Sequence, residues 1–216
     1  MFIFDVDFTI LAIGGQKLSL IELLSTISGL CCVFLATRGK VANFWIGYLY
    51  NIFLFIMFAQ KHLYSSMMLQ PISLAINFFG HYRWTHPKEN EKDRKQQLKV
   101  TLLTNRQRVV ILCIIAAFTL LWGLFLQNVH NFIPEFPQAR QPYLDAFVTS
   151  FILLAQYLSA QKKLDCWGAW LVVNIMNSVL YISAGLVFMP LVCLGYLVLA
   201  FFGFTMWRKK MREERA

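Results

Sequence analysis

Residues 166 to 174 read CWGAWLVVN, and the steps of three and four between Trp167, Trp170 and Asn174 put two indoles and an amide on one helix face. At a rise of 1.5 Å per residue, the amide lies about 10 Å beyond the first indole. Such groups suit a definite kind of solute. Indole faces attract flat rings, cationic ones above all, and amides offer both a donor and an acceptor to a hydroxyl. Further uncharged hydrogen-bonding groups stand in apolar sequence: Asn51, Gln70, Asn77, Thr149 and Gln156. An amide in hydrocarbon costs free energy unless it is hydrogen-bonded, so each of these either bonds a neighbouring helix or meets a polar ligand. Trp167 taken alone is equally a headgroup anchor. Together the set describes an uncharged polar cavity with an aromatic rim, fitted to a nucleoside-like or vitamin-like molecule.

Other chemistries lack their residues. Cys31, Cys32, Cys113, Cys166 and Cys193 show no CxxC or Cys/His ligand spacing, and His62, His81, His86 and His130 are scattered near the ends of apolar runs. No phosphate-binding glycine loop, Ser/His/Asp arrangement or HExxH occurs. We expect no enzyme, no catalytic residues, no metal and no cofactor. No carboxylate falls mid-membrane, with Asp145 at the outer end of its run the nearest, which weakens the case for proton coupling.

These side chains need helices to hold them. The chain has 216 residues, 58% hydrophobic and 14% charged, a balance far from soluble usage. The apolar residues fall in seven blocks, approximately 19 to 36, 42 to 60, 63 to 82, 108 to 127, 144 to 160, 166 to 184 and 186 to 207. Each has the length that crosses roughly 30 Å of hydrocarbon, so the expected fold is an all-α integral membrane protein of seven transmembrane helices. Residues 1–18, with Asp5 and Asp7 and no basic start, do not resemble a cleaved signal and are expected as an interfacial lead-in. Seventeen of the 20 Lys and Arg lie in the 37 to 41 turn, the 83 to 108 stretch, the 161 to 165 turn and the tail 208–216, against Lys17, Lys61 and Arg140 on the other side. The positive-inside rule therefore places the amino terminus outside and the basic tail in the cytoplasm. The net charge of +9 then follows from topology and anionic lipid, with no nucleic-acid partner, and HPKENEKDRKQQ reads as a solvated linker because it mixes both signs.

An internal repeat organises the helices. A shift of 123 positions lays NFFGHYRW (77 to 84) over AFFGFTMW (200 to 207) and also pairs Lys40 with Lys163 and Asn51 with Asn174. We therefore expect two three-helix units, 19–84 and 142–207, joined by the cytoplasmic linker 85–107 and a linker helix at 108–127. One intervening helix makes the two repeats parallel, with a substrate site between them.

At these residues a family emerges. WGAWLVVN resembles the WxxWxxxN signature of the PnuC family of nicotinamide riboside transporters, and the run from Asn43 to Trp84 is similar to that family's second and third spans. IELLSTISGLCCVFLATRGK and DAFVTSFILLAQYLSAQKK are similar as well. The resemblance implies a SWEET-like 3+1+3 plan, a homotrimer in the cell inner membrane, and uptake of nicotinamide riboside by facilitated diffusion with trapping by a cytoplasmic kinase. It implies that the pyridinium stacks on Trp167 or Trp170 and that Asn174, Gln70 and Asn77 hold the ribose. Members with similar sequence move thiamine, riboflavin or deoxynucleosides, which gives the alternative substrates; a membrane binding protein without flux is the alternative of another class.

Overall fold

The computed structural model describes residues 9–13, 16–60, 64–133, 141–183 and 188–215. Lys61, His62 and Arg140 fall outside them. Among the described residues the chain forms seven helices: α1 Leu20–Thr37, α2 Ala42–Gln60, α3 Tyr64–Thr85, α4 Asn105–Phe132, α5 Pro142–Ala160, α6 Cys166–Ser183 and α7 Phe188–Arg215. Five (α1, α2, α4, α5 and most of α7) are long and apolar enough to cross a membrane. The apolar part of α6 is shorter, Cys166–Val179, and α3 is more polar because it carries Gln70, Ser73, Asn77, His81 and Arg83. Those amides and hydroxyls serve packing and the cavity.

Three local outcomes depart from the sequence reading. The interfacial lead-in contains an antiparallel hairpin, β1 Thr9–Ile13 with β2 Gln16–Ser19, which delivers the chain into α1. Ser19 caps α1 there: Glu22 donates its backbone N–H to the serine hydroxyl, and the Glu22 carboxylate accepts from the Ser19 backbone at 2.9 Å. The last helix does not end with its apolar block at 207, since α7 continues through the basic tail to Arg215. The linker is exposed along much of its length but is folded and tied down. Leu98 and Val100 are buried, and Arg83 grips Glu91 through two 2.9 Å hydrogen bonds. Thr101 bridges to Lys163, and Arg108 pairs with Asp165 at 2.9 Å.

Packing closes six helices into a ring in the order α1, α2, α3, α5, α6, α7 and back to α1, while α4 lies outside against α5, joined to it by a Thr119–Ser150 hydroxyl pair at 2.9 Å. Contacts at one place in this ring recur 123 residues later. Phe44 meets Trp84 edge-on with ring centroids 5.0 Å apart, and Trp167 meets Trp207 edge-on at 5.2 Å. The Trp84 indole donates to the carbonyls of Ser159 and Ala160, and the Trp207 indole donates to that of Ala36. The closeness of these rings depends on Gly80 and Gly203, where a Cβ would drive into Phe44 and Trp167 respectively. Left-handed backbone appears at Gly39 (φ +66°) and at Lys162 (φ +55°), in the corresponding turns. The four rings sit at the end of the ring of helices that carries Arg38, Lys40, the linker, the 161–165 turn and the α7 extension, hereafter the basic end.

Candidate functional site

Inside the six-helix ring lies a cavity of about 770 Å³. All eight residues singled out from the sequence line it: Asn51 on α2, Gln70 and Asn77 on α3, Thr149 and Gln156 on α5, and Trp167, Trp170 and Asn174 on α6. Helical spacing accounts for the α6 set, and the recurrence at 123 residues brings Asn51 to the same cavity from the opposite side. The volume is within the usual range for small-molecule sites.

Three of the amides are held in place by backbone carbonyls. Asn174 donates to the Trp170 carbonyl at 2.7 Å, and Asn51 donates to the Gly47 carbonyl at 2.8 Å, again the same bond 123 residues apart. Asn77 reaches across to the Phe44 carbonyl at 3.2 Å. Each amide thereby commits an N–H, which fixes its orientation and keeps its oxygen as an acceptor. Gln156 Oε1 and Trp167 Nε1 are buried without a hydrogen-bond partner. An unmet buried polar atom costs about 1–3 kcal/mol, so a solute offering a donor to one and an acceptor to the other would recover that energy.

The two indoles part company. Trp167 is 1% exposed and wedged against Trp207 and Gly203, so the headgroup-anchor reading does not hold for it: the ring builds the floor of the cavity. Trp170 is only half-buried and is the more available stacking face.

Several lining residues gave no sequence signal. Tyr50, Tyr181 and Tyr196 stand singly in apolar helices, yet all reach the cavity, and the Tyr50 and Tyr196 hydroxyls bond one another. Glu22 is a more consequential omission. By position it is an ordinary first-turn acid, yet it is buried and lines the cavity, and Asp145, 123 positions later, lines it too. Both carboxylates stand in the first turns of their helices, at the end of the cavity opposite the aromatic rings, where Asp145 was expected and Glu22 was not. Among the described residues, His81, His86 and His130 stay out of the lining; His81 bonds the Tyr48 hydroxyl at 2.9 Å and stacks on Phe44. Among the described residues no cluster of His, Cys, Asp and Glu could hold a metal ion, and all five cysteines are free thiols.

Known proteins share this plan. The nicotinamide riboside transporter PnuC of Escherichia coli (strain K12) is 28% identical to the chain, over 93% of this chain and 90% of its own. The riboflavin/roseoflavin transporter RibM of Streptomyces davaonensis is 24% identical over 89% of this chain and 86% of its own. The crystal structure of the vitamin B3 transporter PnuC superposes with a TM-score of 0.71 at 21% identity, covering 90% of this chain and 83% of the other, which establishes the common fold. The profile of the family described as nicotinamide mononucleotide transporter matches residues 19–209, from the first cap of α1 to the basic extension of α7, and on that extent the chain belongs to this family of membrane transporters.

Proposed function

We propose that the chain carries nicotinamide riboside across the cell inner membrane by facilitated diffusion, and that cytoplasmic phosphorylation then traps it. The observation that carries this reading is the cavity within the helix ring, where one half-buried indole, three oriented amides and an unpartnered Gln156 oxygen face the same space. Trp170 stacks on the pyridinium, Asn174, Gln70 and Asn77 bind ribose hydroxyls, and Asn51 and Gln156 complete the polar wall. Glu22 and Asp145 favour a cationic solute at the other end. Names of the relatives, nicotinamide riboside transporters among them, support the choice of substrate.

The recurrence of contacts at 123 residues supports two parallel three-helix repeats with α4 as linker helix, the SWEET-like 3+1+3 plan, with units 19–84 and 142–207. We further propose a homotrimer, which the family resemblance implies; separately, the cation asymmetry supports an amino terminus outside and a basic end in the cytoplasm. Riboflavin is the second reading for the substrate, favoured by the likeness to RibM over most of both chains.

Uptake of labelled nicotinamide riboside into liposomes containing only this protein tests the function. Flux that saturates and is competed by unlabelled riboside is the expected result. Binding without flux would overturn the transporter reading, and flux of riboflavin alone would move the proposal to the second substrate.

A further inference from the structure

A second cavity, of about 730 Å³, lies beyond the aromatic floor at the basic end. Its wall comes from both halves of the ring: the α1–α2 turn, the linker, the 161–165 turn and the α7 extension. Seven cations line it against three carboxylates, Asp93, Glu213 and Glu214. Asp93 is already committed, pairing with Lys210 at 2.8 Å and accepting backbone N–H groups from Lys95 and Gln97 at 2.8 Å each. Glu213 faces Lys209. Arg38 is drawn onto the Phe34 ring. Lys40, Arg94, Lys95 and Lys162 are left with no carboxylate partner among the described residues.

Lys162 is the telling member. It is 1% exposed, its backbone is left-handed, and its ammonium lies 4.7 Å above the Trp84 ring centroid with no hydrogen bond or ion pair. Burial, followed by the charge of Lys210, lowers its pKa to about 8 despite the opposing pull of Asp93 and Glu214. A buried, unpaired ammonium is expensive to keep, and cation–π contact with Trp84 offsets only part of that cost. A solvated neighbour or a hydrophobic side chain would avoid the penalty, so its presence points to an anion that completes the set.

We propose that this cavity binds a phosphomonoester anion, held by Lys162 with Lys40, Arg94 and Lys95. A compact dianion with several acceptor oxygens matches converging lysines and an arginine. Because its ligands belong to both halves, the bound anion ties them together directly beneath Trp84 and Trp207 and holds the basic end shut. This consequence rests on the transport reading above; the binding does not. A phosphorylated nucleoside in the cytoplasm and the headgroup of phosphatidic acid share the required chemistry. The same field repels a cationic riboside, so the cavity separates the substrate from its phosphorylated form by charge alone.

Isothermal titration of the purified full chain in phosphate-free neutral detergent, with AMP as the soluble probe, tests the site. A second arm uses nanodiscs of phosphatidylcholine with and without phosphatidic acid, read by thermal shift. Saturable AMP binding, or stabilisation by phosphatidic acid alone, is expected, and which arm responds identifies the source. Lys162→Met should weaken the response roughly tenfold or more, and so should Lys40→Gln with Arg94→Gln, changes at exposed positions that leave the fold intact. No saturable response in either arm, or equal responses in wild type and both variants, would overturn the proposal. Riboside binding and flux are measured on the same preparations: their absence beside AMP binding counts against the transport reading and leaves the anion site standing.

Discussion

Replacing Asn174 by leucine removes an acceptor from the cavity while keeping a side chain that a membrane helix welcomes. Riboside affinity should fall by about 1 kcal/mol, and more if a hydroxyl is left unpaired, with the melting temperature nearly unchanged; calorimetric titration beside a melt reads both. Trp170→Ala should weaken binding of the cationic riboside by roughly 0.5–2 kcal/mol more than binding of an uncharged analogue. Trp167→Ala belongs to another class. Its ring is buried against Trp207, and truncation should cost about 3–5 kcal/mol of stability, seen as a lowered melting temperature before any loss of affinity. Lys162 makes the opposite prediction. Its folded pKa of about 8 lies below the ordinary 10.5, so between these values the unfolded chain holds a proton that the folded one has lost, and stability rises with pH across that window. Below pH 8 the penalty is fully present, roughly 3 kcal/mol. Lys162→Met should therefore melt higher than wild type at pH 7 and lose most of that advantage by pH 10.5.

At the scale of helices, apolar length fixed where α1, α2 and α5 begin and end to within a few residues, because a charge or turn ends each block. It fell short at α4, which runs from Asn105 to Phe132 beyond the block 108 to 127, and at α7, which runs on to Arg215. Helical continuation there rests on the Thr104 capping box and on the Lys210–Asp93 pair, neither of which hydropathy registers. The candidate site was legible where polar residues interrupt apolar sequence, as at Asn51 and Asn174. It was illegible where a residue looked at home: a tyrosine in a span, or Glu22 in a first turn. The offset of 123 could have found Glu22, since it pairs that acid with Asp145. Gly203 carries a prediction at this scale. A valine there meets the Trp167 ring directly, so Gly203→Val should push α7 off α6 and lower the melting temperature, and Gly80→Val should do the same to α3, where the obstacle includes Ala160 backbone.

For the whole molecule, topology and energetics are both open to measurement. Arg94 is exposed in the linker, and a cysteine placed there should react with an impermeant reagent only from the cytoplasmic side; labelling from outside would reverse the orientation. Uptake in vesicles should follow the riboside gradient and survive collapse of proton and sodium gradients. Because Glu22 and Asp145 line the cavity, that experiment is paired with Glu22→Gln: the variant should discriminate less between the cationic riboside and a neutral analogue while remaining indifferent to protonophore.

The two indole bonds at the basic end are alike in design but not identical. Trp84 donates to two carbonyls, 3.3 and 3.1 Å away, and has the Lys162 ammonium over its ring; Trp207 donates to one, at 3.1 Å. The contact that recurs at 123 residues thus keeps the indole and its carbonyl partner but not the surroundings of the ring, so the α3–α5 and α1–α7 seams are not interchangeable, and Trp84→Phe and Trp207→Phe report on each of them separately.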